Sequence, residues 1–196
     1  MNLILRLLVM SSLVAVSMLA AHRAAAQIDP YEFEVYPYAT LPRGMFELES
    51  ANAVVVNGHS TPGVGLSDVY KSQGTWFSGN EFTYGITDRI EAAAYVNFNQ
   101  PSGHGFWWAG NKFRLRGRLF DEGVLPVDLG WYVELEYWKT PQFNDADLEL
   151  ELKPIIEKDF GRFSLVLNPL FEKVLYGKGH HEGLSSAIAT ALTTVG

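Results

Sequence analysis

The amino-acid sequence predicts an all-β chain: an antiparallel up-and-down transmembrane β-barrel with about seven to eight strands present, complete or incomplete. Three observations predict it. Most candidate strands set a mostly apolar face against a charged or polar one, connections alternate between long and short, and the N-terminus reads as an export signal.

The elements follow in chain order. One cation, Arg6, precedes a mostly apolar run to Ala21, and Ala24, Ala25 and Ala26 offer a small-residue cleavage site. That layout predicts a signal peptide over residues 1–26. His22 and Arg23 interrupt the apolar run short of the roughly 20 residues a spanning helix needs. Residues 27–44 are expected to form an N-terminal periplasmic segment, residues 45–175 the transmembrane strands, and residues 176–196 an atypical C-terminal tail.

Residues 45–56 place Phe46, Leu48, Val54 and Val56 on one face and Glu47 and Glu49 on the other. Residues 75–84 alternate more weakly. Residues 89–99 set Ile90, Ala92, Ala94, Val96 and Phe98 against Arg89, Glu91, Tyr95 and Asn97. Residues 112–120, KFRLRGRLF, carry Lys112, Arg114, Arg116 and Arg118 at every second position. A helix would scatter these cations, whereas a strand puts them on one face. Residues 127–138 oppose Leu129, Trp131, Val133, Leu135 and Tyr137 to Asp128, Glu134 and Glu136. Residues 146–153 oppose Leu148, Leu150 and Leu152 to Asp147, Glu149, Glu151 and Lys153, and residues 162–172 repeat the pattern. Segments of this length suit tilted strands that cross a bilayer.

Connections over 57–74, 100–108 and 139–145 are the longer ones; those over 85–88, 121–126 and 157–161 are short. Short turns on the periplasmic side and longer loops outside give this alternation. Tyr84, Phe120 and Phe160 sit by the short turns, while Phe98, Trp107, Trp108, Tyr137, Trp138 and Phe171 lie toward the long loops, as two interfacial girdles would.

Composition narrows the function. The whole chain carries a formal net charge of −7, and removing residues 1–26 takes away Arg6 and Arg23. That leaves 13 Lys+Arg against 22 Asp+Glu, a net −9 that excludes a general nucleic-acid binder. Cysteine is absent, so there is no thiol chemistry.

The charged faces are the candidate site. Arg89, Glu91, Lys112, Arg114, Arg116, Arg118, Asp128, Glu134, Glu136, Glu149 and Glu151 are expected to line the lumen. Two readings fit them: a pore with one cationic and one anionic wall, or a salt-bridge network that fills a narrow barrel. No catalytic or cofactor set is expected. His180, His181 and Glu182 form the sole histidine cluster and read as a solvated loop rather than a metal site. Ser60, Ser67, Asp68, Ser102 and His104 lie in the long loops, where a lipid-modifying or proteolytic enzyme would place its groups, but no nucleophile-elbow pattern occurs.

YGITDRIEAAAYVNF (84–98), KFRLRGRLFDEGVLPVDLGWYVELEYW (112–138), LELELKPIIEKDFG (148–161) and the opening YEFEVYPYATLPRGMFELE (31–49) resemble a family of uncharacterised bacterial outer-membrane barrel proteins. The resemblance covers roughly residues 28–175 and rests most on Gly85–Arg89 and Arg114–Arg118. It implies a barrel in the outer membrane, embedded in outer-membrane lipid and inserted by the barrel-assembly machinery. It brings no established reaction or solute. Members continue through more strands, and seven clear strands is an odd number where single-chain bacterial barrels have even ones. Either 185–195 supplies a poor eighth strand, or the chain is a truncated member; its weak alternation favours truncation. An open or loosely closed sheet is therefore expected, with residues 177–196 disordered, helical or weakly placed.

Overall fold

The computed structural model describes residues 29–32, 35–61, 70–139 and 146–194. The expected signal peptide, Ser67 and Asp68 lie outside these residues. Eight strands run in sequence order as one antiparallel sheet: β1 (Phe46–Val54), β2 (Trp76–Thr87), β3 (Ile90–Gln100), β4 (Trp107–Arg118), β5 (Asp128–Trp138), β6 (Ala146–Phe160), β7 (Phe163–Gly177) and β8 (Ser185–Thr194). A short 3-10 turn, Lys178–His181, joins the last two. The sheet curls into a half-barrel whose two outermost strands, β1 and β8, are not paired with each other.

Register carries the alternation coherently from strand to strand, because residues directly opposite in a ladder share a face. Ala94, Phe113, Leu135 and Leu150 form one such row on the convex side, and Ala92, Leu115, Val133 and Leu152 the next. Phe82, Phe113, Leu115, Leu135, Leu152, Ile188 and Leu192 leave large apolar surfaces exposed there. On the concave side Tyr95, Lys112, Glu136 and Glu149 make one row, and Glu91, Arg116, Tyr132 and Lys153 another.

Several elements depart from the sequence-based expectation, each for a local reason. β6 does not end near residue 153 but continues through Pro154 to Phe160. The Leu152–Phe171 and Ile156–Leu167 pairs place Pro154 opposite Pro169, and the β6–β7 ladder is open between those pairs. Neither proline has an N–H to donate, so setting them opposite one another confines the loss to a single gap. β4 starts earlier than expected, at Trp107, with a register shift that accommodates Ala109. The stretch 185–194, expected to be disordered, helical or weakly placed, is a regular strand with a full ladder to β7. It follows the short 3-10 turn and does not close onto β1.

The convex face also has a polar break. Ser50, Asn52, Ser78 and Asn80 share it with Phe82 and Val96. These groups satisfy one another: Ser50 Oγ donates to Asn80 Oδ1 (2.9 Å), Asn52 Nδ2 to Ser50 Oγ (3.2 Å), and Asn80 Nδ2 to Ser78 Oγ (3.2 Å).

Candidate functional site

The concave face holds most of the expected charged set. Glu91, Lys112, Arg114, Arg116, Glu134, Glu136 and Glu151 are buried on it, and Glu149 is half-buried there. Arg89 belongs elsewhere, and Arg118 and Asp128 stand at the end of the concave face. Arg89 sits in the β2–β3 turn and pairs with Asp121 at 2.5 Å, both half-exposed. Asp128 Oδ1 accepts a hydrogen bond from the Gly123 backbone N–H (2.8 Å), closing the β4–β5 connection. Arg118 bonds the Asp88 carbonyl at the same end of the sheet. Arg118 and Asp128 are the end residues of β4 and β5 and keep the inward parity of Arg116 and Glu134, with the Arg118 guanidinium 5.7 Å from the Tyr38 ring centre. Trp138, expected in an outer girdle, faces inward and is buried, its indole N–H donating to Glu136 Oε2 (2.8 Å).

The cationic strand β4 and the acidic strand β5 are neighbours, so the expected two walls neutralise one another. Lys112 Nζ lies 3.1 Å from Glu136 and 3.3 Å from Glu134. Arg114 reaches back across β3 to Glu81 and Glu91, and Arg116 holds Glu91 at 2.9 Å. Lys153 Nζ pairs with Glu151 at 2.7 Å. Taking such groups out of water costs several kcal/mol each, which pairing and hydrogen bonds offset. Aromatic rings extend the compensation. The Arg114 guanidinium lies 4.9 Å from the Tyr36 ring centre, and Lys153 Nζ 4.8 Å from that of Tyr132.

The second component of the site comes from the segment before β1. Residues expected to stand in the periplasm lie against the concave face as a strap, described over 29–32 and 35–42. The strap begins beside Lys112 and Trp138 and ends at the β2–β3 end of the sheet, where Gly44 N–H donates to the Gly85 carbonyl (2.8 Å). Asp29 meets Lys112 at 2.5 Å, and Glu32 meets the same ammonium at 3.1 Å. Tyr31 packs on Phe77 and Trp138, with ring centres 5.4 and 5.1 Å away. Tyr36 and Tyr38 pack with Tyr132 and Ile155.

Side chains of the wall satisfy the strap's backbone much as a neighbouring strand would. Asn168 accepts from the Tyr36 N–H (2.7 Å) and returns its own N–H to the Tyr36 carbonyl (3.2 Å). Glu157 accepts from the Tyr38 N–H (2.6 Å), and Glu91 from that of Leu41 (2.6 Å). Arg116 donates to the Pro37 and Ala39 carbonyls at 3.3 and 3.0 Å. Two glycines make room. A Cβ at Gly79 would overlap the Tyr31 carbonyl oxygen, and one at Gly85 that of Pro42. Buried backbone groups need such partners.

Strap chemistry is uneven along its length. Burial pushes the Asp29 carboxyl up, with Glu32 and Glu136 adding to the effect; Lys112 opposes it only in part, and the pKa stands at about 7. Burial also acts to raise Glu32, but Lys112 and Lys153 outweigh it and hold that carboxyl below its usual range. Glu32, Glu134 and Glu151 bring carboxylate oxygens within 4.8 Å of one another. The ammonium groups of Lys112 and Lys153 already supply the positive charge a metal would bring to this cluster.

A cavity of about 490 Å³ remains between the strap and the β1–β4 side of the wall, lined by Glu47, Glu49, Glu81, Glu91, Tyr95, Arg114 and Arg116 among others. Sequence reasoning missed the strap acids Asp29 and Glu32, the receiving Asn168, and Lys153 as a partner. The only signal was the acid–aromatic run YEFEVYPY (31–38). Ser60, Ser102 and His104 stay in the connections, with His104 against the Tyr70 ring at 4.9 Å. His180 and His181 lie in or beside the 3-10 turn, ring centres 3.5 Å apart.

Compared with known protein families, curated proteins and solved structures, the chain matches none of them.

Proposed function

We propose that the chain belongs to a bacterial outer-membrane β-barrel protein, porin- or transporter-like, that passes small charged or polar solutes along its concave face. The observation that carries this reading is the register. Rows of apolar side chains on the convex face back rows of charged ones on the concave face. Hydrocarbon requires such a face together with closed backbone pairing. The unpaired edges of β1 and β8 then need partner strands in the bilayer, because each unsatisfied N–H or C=O there costs several kcal/mol. Membership of the barrel family that the sequence resembles is part of the same proposal, as are export through a cleaved signal peptide and insertion by the barrel-assembly machinery.

The unfilled space beside Glu47, Glu49, Glu81 and Arg114 is the natural path for solute. Planar-bilayer recording tests this. Full-length protein should carry ion current whose selectivity changes when Arg114 and Arg116 are neutralised. Recovery of the native protein as a soluble periplasmic species, without detergent, would refute the membrane reading.

One feature of the site favours a second reading, a structural barrel that does not conduct. Lys112 alone holds Asp29, Glu32, Glu134 and Glu136, and charges so paired serve as filling. Folded protein in bilayers without current under any condition would establish it.

A further inference from the structure

We propose that the strap, described over 29–32 and 35–42, is a removable occupant of the concave groove that gates passage along it. The inference rests on the transport reading above and adds its regulation. The groove is built to bind an extended acidic and aromatic peptide.

Its recognition is of two kinds. Asn168, Glu157, Glu91 and Arg116 bind the strap's main chain through hydrogen bonds that do not depend on strap side chains. Lys112 binds its acids, Asp29 and Glu32. None of these contacts is covalent, and the strap takes no part in the ladder of eight strands, so it can leave without unpairing the sheet. In place it packs against the inner faces of the middle strands, and a cavity toward β1 stays free. Out of place it uncovers Lys112, Arg114, Arg116 and Lys153 together with the wall carboxylates paired to them, Glu91, Glu134, Glu136 and Glu151, converting a covered wall into an open charged one. A groove that reads backbone and acid together will also accept a separate peptide of the same sequence.

Gly79 and Gly85 allow a direct test. Each lies on the inner face directly under a strap carbonyl, so Gly79→Ala and Gly85→Ala press the strap away by one methyl group while leaving every charge in place. Alanine also suits a strand better than glycine, so the sheet itself is not weakened. Full-length wild type and the double variant are reconstituted in planar bilayers and in vesicles. A single cysteine at the inward-facing, buried Ala93 reports access to the wall by its rate of reaction with a water-soluble maleimide.

The proposal expects low current and slow labelling for wild type. The double variant should show severalfold higher current and faster labelling, both reversed by adding a synthetic peptide of residues 29–42. Equal current and equal labelling in the two proteins would overturn the gate and leave the transport reading standing. Faster labelling in the variant with no current from either protein would overturn the transport reading and the gate with it. Higher current that the added peptide does not reduce would show that the strap is not what blocks the path.

Discussion

Lys112 on β4 and Ala189 on β8 occupy the same place in the alternating pattern, facing inward from a strand, yet their surroundings differ completely. Lys112 is fully buried among Asp29, Glu32, Glu134 and Glu136 from the strap and β5. Ala189 is half-buried opposite Asn168, in a strand whose inward residues Ala187, Ala189 and Ala191 carry a methyl group each and no charge. Alternation decides the side of the sheet; side-chain length and charge decide whether that side is held together. The middle of the half-barrel is cross-linked through its interior, whereas β8 is held by its ladder to β7 alone among the described strands.

Removing the hub should separate the two regions most sharply. Lys112→Met leaves four carboxylates without their shared cation, and loss of one partner from a buried ionic cluster costs about 3–5 kcal/mol. Ala189→Ser at the edge should stay within about 0.5 kcal/mol, as for surface changes generally. Urea unfolding from lipid vesicles measures both. Similar costs at the two positions would show that the ionic hub contributes no special stability.

The next largest effect sharpens the contrast between faces within one strand. Leu135→Arg puts a charge on the convex side near mid-strand and should cost about 2–4 kcal/mol in a bilayer. The adjacent inward change, Glu134→Gln, should cost less, because it keeps the shape and removes one of several carboxylates that share Lys112. A larger loss from Glu134→Gln would mean that the faces are assigned the wrong way round.

A further effect concerns pH. Asp29 has a carboxyl pKa of about 7 when the strap is docked, above its ordinary 3.8. The docked state therefore binds more protons between those values, so docking is strongest in acid and weakens as pH rises from about 4 to about 7. Glu32, held below its usual range, works oppositely and loosens the strap only at lower pH. Hydrogen exchange of strap amides, corrected for its intrinsic pH dependence, should show protection falling over the Asp29 window. Asp29→Asn should remove that fall; an unchanged profile in the variant would discount Asp29 as its source.

Much of the sheet was legible in the sequence because alternation is a local signal. Leu135 and Glu134 declare their sides without knowledge of any neighbour, and seven of the eight strands carry enough of this pattern to be found. The strap was not legible. Asp29 and Lys112 are 83 residues apart, and nothing in either residue names the other. The clear alternation of β6 ends at Lys153, just before Pro154, and the position of Pro169 opposite Pro154 shows how the strand continues past it. Trp138 misled for a related reason. An aromatic residue near a strand end suits an interfacial girdle, but its place in the register puts it on the concave side, where Tyr31 and Glu136 complete its environment.

The central claim is that one face of the sheet meets lipid and the other meets the strap and polar interior. Ala92, Ala93 and Ala94 test it with the least disturbance, since three consecutive alanines on β3 face out, in and out, and the chain has no cysteine of its own. Single cysteines at these positions, in protein folded into vesicles, are exposed to a thiol probe confined to the lipid phase. Rapid reaction at 92 and 94 with protection at 93 is the predicted result. Reaction at 93 with protection at 92 and 94, or equal reaction at all three, would contradict it.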